Sequence, residues 1–99
     1  MVVDKQHCVY MLRCGDDSLY TGYTNDLSNR LKKHQEGKGA KYTRGRGPVV
    51  LECFEVYDTK QDAMKREYEI KTWSRGKKEL WIAEQKAGMQ DEDTEKLRR

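Results

Sequence analysis

Two phenols, a guanidinium and an imidazole stand close together in this sequence: Tyr10, Tyr20, Arg30 and His34. A guanidinium fork pairs with two phosphate oxygens at once, and phenols and imidazoles can hold or move a proton. A set of this kind suits phosphate chemistry, provided the chain brings its members to one place. The stretch LYTGYTNDLSNRLKKH, residues 19–34, carries three of them across what reads as a strand-to-helix junction.

The elements that must position them follow from periodicity and turn chemistry. HCVYMLRC is rich in β-branched and apolar residues, GDDS is a turn, and LYTGYT returns as a second strand, so residues 7–24 form a β-hairpin. Tyr10 and Tyr20 share a sheet face if the connection has an odd number of residues, as with Gly15–Asp17 as a three-residue loop. An even loop points them apart. Asp26 or Asn25 caps the following helix, Leu27 and Leu31 mark its apolar side, and Gly37 ends it. Arg30 and His34, four residues apart, lie on one face of that helix. Gly22, between the tyrosines and the helix, leaves room for a close approach by another backbone or a phosphate.

Charge distribution supports a polyanionic ligand better than total charge does. The formal net charge is only +3, but residues 26–50 hold seven Lys/Arg against two acidic residues, and residues 60–80 hold seven against four. Three cysteines, Cys8, Cys14 and Cys53, are an odd number with no CxxC pair, which excludes a closed disulfide framework and predicts reduced thiols. No apolar run nears the length of a membrane span, and MVVDKQH lacks the apolar stretch of a leader, so a cytoplasmic protein with no membrane partner is expected.

The rest of the chain completes one domain of α+β class. GKGAKYTRGRGP is too interrupted by glycine and proline for a regular element and reads as a basic loop. VVLECFEVY reads as a strand with both faces partly buried. Thr59, three residues before Asp62, opens a helix through about Thr72 along the stripe Ala63, Glu67 and Ile70, on which the glutamate is the odd residue. KKELWIAEQ continues as a short third helix. The expected division is an extension over 1–6, a domain over 7–85, and a charged, disordered tail over 86–99.

These motifs resemble those of the GIY-YIG nuclease domain, especially of the small stand-alone bacterial proteins made of that domain alone. CVY (Cys8–Tyr10) matches the first half of the signature and YTG (Tyr20–Gly22) the second, at the family's spacing. GYTNDLSNRLKKH resembles the family's helix with its Arg and His, GAKYTRGRGPV the loop of the stand-alone group, and AMKREYEIKTW the helix with its metal-binding glutamate. Cys8 replaces the first glycine, and Val9 and Thr21 replace the isoleucines. No asparagine follows Asn29, so the C-terminal asparagine of some members has no counterpart.

The resemblance implies a three-stranded antiparallel sheet flanked by helices, and a metal-dependent endonuclease that hydrolyses DNA phosphodiester bonds. Tyr10 is implied as general base, with its phenolate favoured by the positive charge of Arg30 and a metal ion. Tyr20 supports the water or phosphate, Arg30 binds phosphate oxygens, His34 contacts the phosphate or orients a tyrosine, and Glu67 is the one protein ligand of a single Mg2+ or Mn2+. Gly22, Lys41, Tyr42, Arg44, Arg46 and Lys71 complete the nucleic-acid surface, with Tyr42 a stacking platform among basic residues. Trp73 and Trp81 fit base stacking or core packing. No separate site-choosing domain fits in this length, so specificity would come from DNA structure or a partner protein. The competing reading is a catalytically weak nucleic-acid-binding module, for DNA or RNA, that keeps the fold. A thiol or metal protein using His7, Cys8 and Cys14 is disfavoured by their spacing.

Overall fold

The computed structural model describes residues 6–98, with side-chain surroundings through Ala87. Strands β1 (His7–Arg13), β2 (Leu19–Thr24) and β3 (Val50–Tyr57) form one antiparallel sheet in the order β2-β1-β3, with helices α1 (Leu27–Gln35), α2 (Lys60–Lys71) and α3 (Arg75–Arg98). The expected α+β class and three-stranded sheet are present. No helix among the described residues is long and apolar enough to cross a membrane.

The central strand explains the layering. Val9, Tyr10, Met11 and Leu12 are all buried, so both faces of β1 are covered. Val9 and Met11 face a core built with Cys53, Ala63, Ile70, Trp81 and Ile82, drawn from β3, α2 and α3. Tyr10 points the other way, toward α1. The third member of the α2 stripe, Glu67, is only partly covered, while Ala63 and Ile70 are fully buried.

Caps and turns fix the helix ends. The Asp26 carboxylate accepts from the Asn29 N–H to open α1, and the Thr59 hydroxyl accepts from the Asp62 N–H to open α2. Gly37, at φ 76°, ends α1 in the left-handed region with its N–H donated to the His34 carbonyl. The β1–β2 connection spans residues 14–18, five residues instead of three, because Arg13 pairs with Leu19. Five is also odd, so the phenols keep a common face.

Two expectations change. The basic loop contains a 3-10 turn over Lys41–Thr43, since the glycines flank these residues without interrupting them. Helical backbone runs through Arg98 across the stretch read as a disordered tail; after Pro48 the chain has no proline, and its Glu, Lys, Gln, Met and Leu favour helix even without an apolar face. Strand β3 is also less covered than expected, with Phe54 and Val56 exposed beside Tyr10 and Cys8. A bulge explains Glu52: Leu12 pairs with Leu51 and Met11 with Cys53, leaving Glu52 as the extra residue, held by Arg13 and Lys86.

The hairpin turn also anchors the basic loop. The Gly15 N–H donates to the Arg46 carbonyl at 2.5 Å, and a Cβ on Gly15 would overlap the Gly47 carbonyl. Gly15→Ala should therefore destabilise the fold by about 1–3 kcal/mol in urea denaturation. Gly76→Ala, in open space within α3, should leave stability unchanged or raise it by up to about 1 kcal/mol. Equal effects would show that the Gly15 contact does not hold the loop.

Candidate active site

The site grows from the pairing register. Tyr10 lies opposite Gly22 and Leu12 opposite Tyr20, so the two phenols sit diagonally on the sheet face that meets α1, with ring centroids 6.3 Å apart. The i, i+4 spacing turns Arg30 and His34 toward the same region. The Tyr10 hydroxyl and His34 Nε2 are 2.9 Å apart, and His34 Nδ1 lies 2.9 Å from the Thr43 hydroxyl oxygen. The His34 ring also contacts Tyr20, at a centroid distance of 5.4 Å.

Gly22, expected to leave room for another backbone or a phosphate, has the protein's own phenols beside it. A Cβ there would lie 2.5 Å from the Tyr10 hydroxyl oxygen and 2.9 Å from a Tyr20 ring carbon. The space above Gly22 is filled by the protein's own phenols, so this glycine lets Tyr10 reach across β2 toward His34.

Electrostatics of the protein groups define the resting state of Tyr10. The residue is 1% exposed, and burial together with the neighbouring Tyr20 pushes its phenol up to about 12, against the downward pull of the Arg30 guanidinium. The charge of Glu67 adds a smaller upward push. Arg30 therefore fails to outweigh desolvation, and the resting phenol is protonated at neutral pH. Burial holds the His34 imidazole below its ordinary value, and the charge of Arg30 lowers it further, so His34 rests neutral.

Arg30 has hydrogen-bonding capacity that the protein leaves unused. Among the described residues its Nε is the one buried side-chain polar atom without a hydrogen-bond partner. Glu67 lies near enough for its charge to act on Tyr10, and its carboxylate pairs with Lys71 at 3.4 Å. Among the described residues no three His, Cys, Asp or Glu side chains cluster as a metal cage. That donor set fits a hard cation that takes one carboxylate and draws its other ligands from water and substrate oxygens; it does not fit zinc.

The basic loop divides into held and free residues. Tyr42 stacks on Tyr20 at 5.8 Å and 28°, and the Arg46 guanidinium lies 4.6 Å over the Tyr42 ring. Arg46 also pairs with Asp16 at 2.5 Å, so it is engaged within the protein and differs from the free phosphate grip expected. Lys41 and Arg44 are exposed on the same turn. Lys71 is likewise tied, to Glu67. The tryptophans pack: Trp81 is buried, Trp73 meets it edge-on at 5.9 Å, and Arg66 and Lys77 lie over Trp73.

Sequence reasoning missed Thr43, Gly39 and Asp16. Gly39 packs directly on the imidazole, since a Cβ there would lie 2.7 Å from His34 Cγ. The only available signal was the small-residue run GKGAKYT one turn beyond His34, which reads equally well as an ordinary loop.

The chain is similar to several known proteins. The family described as "GIY-YIG catalytic domain" matches residues 6–79. A UPF0213 protein of Bacillus pumilus is 58% identical over 78 residues, covering 79% of this chain and 80% of that protein. One from Haloquadratum walsbyi is 55% identical over 73 residues, covering 74% and 82%. The solution NMR structure of a UPF0213 protein from Bacillus halodurans is similar with a TM-score of 0.53 and 54% identity, covering 79% of this chain and 83% of that one. A second, of a protein from E. faecalis, gives 0.58 and 39%, covering 84% and 88%.

The raised Tyr10 phenol predicts an alkaline signature. Folded Tyr10 keeps its proton to about pH 12, whereas the unfolded phenol loses it near 10. The folded chain thus holds more protons in that window, and stability, full below pH 10, falls as pH rises through it. Urea denaturation at stepped pH should show a shallower decline between pH 10 and 12 for Tyr10→Phe than for the native chain. Parallel declines would mean that Tyr10 titrates normally.

Proposed function

We propose, since this chain belongs to the GIY-YIG catalytic-domain family, that it is a metal-dependent endonuclease hydrolysing phosphodiester bonds of DNA. The observation that supports this best is the unpartnered, buried Arg30 Nε beside a tyrosine–histidine pair. A phosphate oxygen is the natural partner for that N–H. Arg30 and the exposed Lys41 and Arg44 are the cations assigned to the DNA backbone, while Arg46 and Lys71 each pair with a carboxylate of the protein.

The chemistry assigned to the chain runs as follows. Arg30 holds the scissile phosphate, and the half-exposed Tyr20 hydroxyl aligns it or the attacking water. The water's O–H bond breaks as its oxygen attacks phosphorus. Its proton passes to the Tyr10 oxygen while the original Tyr10 proton passes to His34 Nε2, which leaves a neutral phenol and an imidazolium. The P–O bond to the leaving nucleotide then breaks with its electron pair on the departing oxygen, which takes a proton from solvent to leave as a hydroxyl. A phenol with a pKa of about 12 accepts a proton in this way only because it surrenders its own in the same step. Glu67 would hold a Mg2+ or Mn2+ ion, which supplies charge neutralisation at the phosphate and leaving oxygen. Lys41 and Arg44 grip neighbouring phosphates without reading bases, because an exposed turn does not fix a side chain in bidentate geometry. Specificity then rests on DNA shape or on a partner protein.

Incubation of supercoiled and branched DNA with Mg2+ or Mn2+ tests this. Glu67→Gln should lower cleavage at least about 10²-fold while sparing metal-free DNA affinity, and Arg30→Ala should impair both. A native protein that binds DNA yet cleaves nothing would establish the binding-module reading instead. Over a salt series, Lys41→Ala and Arg44→Ala should each reduce the salt slope by about one unit across unrelated duplexes, whereas Arg46→Ala should change it less. A larger drop for Arg46→Ala would place Arg46 on the phosphate backbone.

A further inference from the structure

The Tyr10–His34 pair works only if the His34 lone pair faces Tyr10, and the donors and acceptors around it settle the direction. The far end of the chain of bonds fixes the direction. The Thr43 hydroxyl donates its one proton to the Ala40 carbonyl at 3.0 Å. Its oxygen can therefore only accept from His34 Nδ1, 2.9 Å away, so Nδ1 carries the imidazole proton. In the neutral imidazole Nε2 is then the bare nitrogen, and it accepts the Tyr10 hydroxyl proton across 2.9 Å. The chain runs Tyr10 to His34 to Thr43 to Ala40. The reverse arrangement would turn the Thr43 proton to Nδ1 and take it from the Ala40 carbonyl.

We propose that Thr43 is a positioning residue that fixes His34 in the Nδ1–H form and so makes Nε2 the proton acceptor for Tyr10. The proposal rests on the nuclease reading for its catalytic consequence, though the tautomer stands independently of it. Thr43 is buried and holds its place through two bonds to Ala40: the Thr43 N–H also donates to the Ala40 carbonyl, at 3.0 Å. Gly39, one residue before Ala40, lies close against the imidazole, and the Tyr20 ring also contacts it, so the turn and Tyr20 together limit where the ring can go. During the proton transfer Nδ1–H stays on Thr43 and Nε2 gains the Tyr10 proton, so the hydroxyl also steadies the imidazolium that forms. The 3-10 turn thus serves the proton path through Thr43 while Lys41, its first residue, and Arg44, directly after it, face the phosphates.

Nitrogen-15 NMR of the full chain tests the assignment directly. Long-range proton–nitrogen correlations distinguish a protonated from a bare ring nitrogen, and the His34 signals are identified by their loss in His34→Gln. Native His34 should show protonated Nδ1 and bare Nε2 at neutral pH. Thr43→Val, close to threonine in shape but without an acceptor, should shift the majority to Nε2–H, and Thr43→Ser should restore the native form. Cleavage by Thr43→Val should fall in kcat by roughly tenfold or more with KM for DNA within about twofold, and Thr43→Ser should recover it. Native His34 in the Nε2–H form would overturn the proposal without any variant. So would a folded Thr43→Val, or Thr43→Ala should the valine variant misfold, that keeps the native tautomer. If native protein with the expected tautomer cleaves no DNA, the nuclease reading fails while the role of Thr43 in setting the tautomer is upheld.

Discussion

The site depends on one contact: the Tyr10 hydroxyl passes over Gly22 to meet His34. A side chain on Gly22 would occupy that position, and an even hairpin connection would turn Tyr20 to the opposite face. The contact also brings α1 against the sheet, since His34 is the buried residue of that nine-residue helix. A buried histidine at the helix end would ordinarily be costly. Here both ring nitrogens have partners, so its desolvation is offset by two hydrogen bonds.

Buried polar groups on the opposite side of the molecule are handled differently, with full charges paired to one another. Burial pushes Glu52 up, but hydrogen bonds from Lys86 and Arg13 outweigh it and hold the carboxylate below its usual range. Arg13 spreads over Glu79, Glu52 and Asp17, linking β1, β3, the hairpin turn and α3. Glu55 accepts from Arg66, Tyr57, Trp81 and Gln85 in the same manner. These networks join α2 and α3 to the sheet beside the apolar core. The face that carries Tyr10 and His34 is poorer in such pairs, and among the described residues the Arg30 Nε there is the one buried side-chain polar atom without a partner.

The loop between α1 and β3 shows how a flexible-looking segment becomes part of a site. Its far end is fixed by Gly15 and Asp16 of the hairpin turn, through the Arg46 backbone and side chain. Its near end is fixed by Thr43 on His34. Between these anchors Tyr42, 43% exposed, stacks on Tyr20 and extends the aromatic surface outward. Asp16 therefore supports the site from the hairpin turn without touching its polar centre.

The sequence by itself determined the three strands, the caps at Asp26 and Thr59, the Gly37 stop, and the gathering of Tyr10, Tyr20, Arg30 and His34, because period, capping and hairpin parity are local properties of the chain. It also carried the family signature. The sign of the Tyr10 shift, the use of Gly22, the capture of Arg46 by Asp16 and the place of Thr43 were decided by tertiary structure alone. Each depends on a distance between segments far apart in sequence, or on how much water the packed elements exclude. A glycine read in sequence offers space; only packing determines what fills it. An arginine read in sequence offers charge, and burial set against that charge decided that Tyr10 keeps its proton.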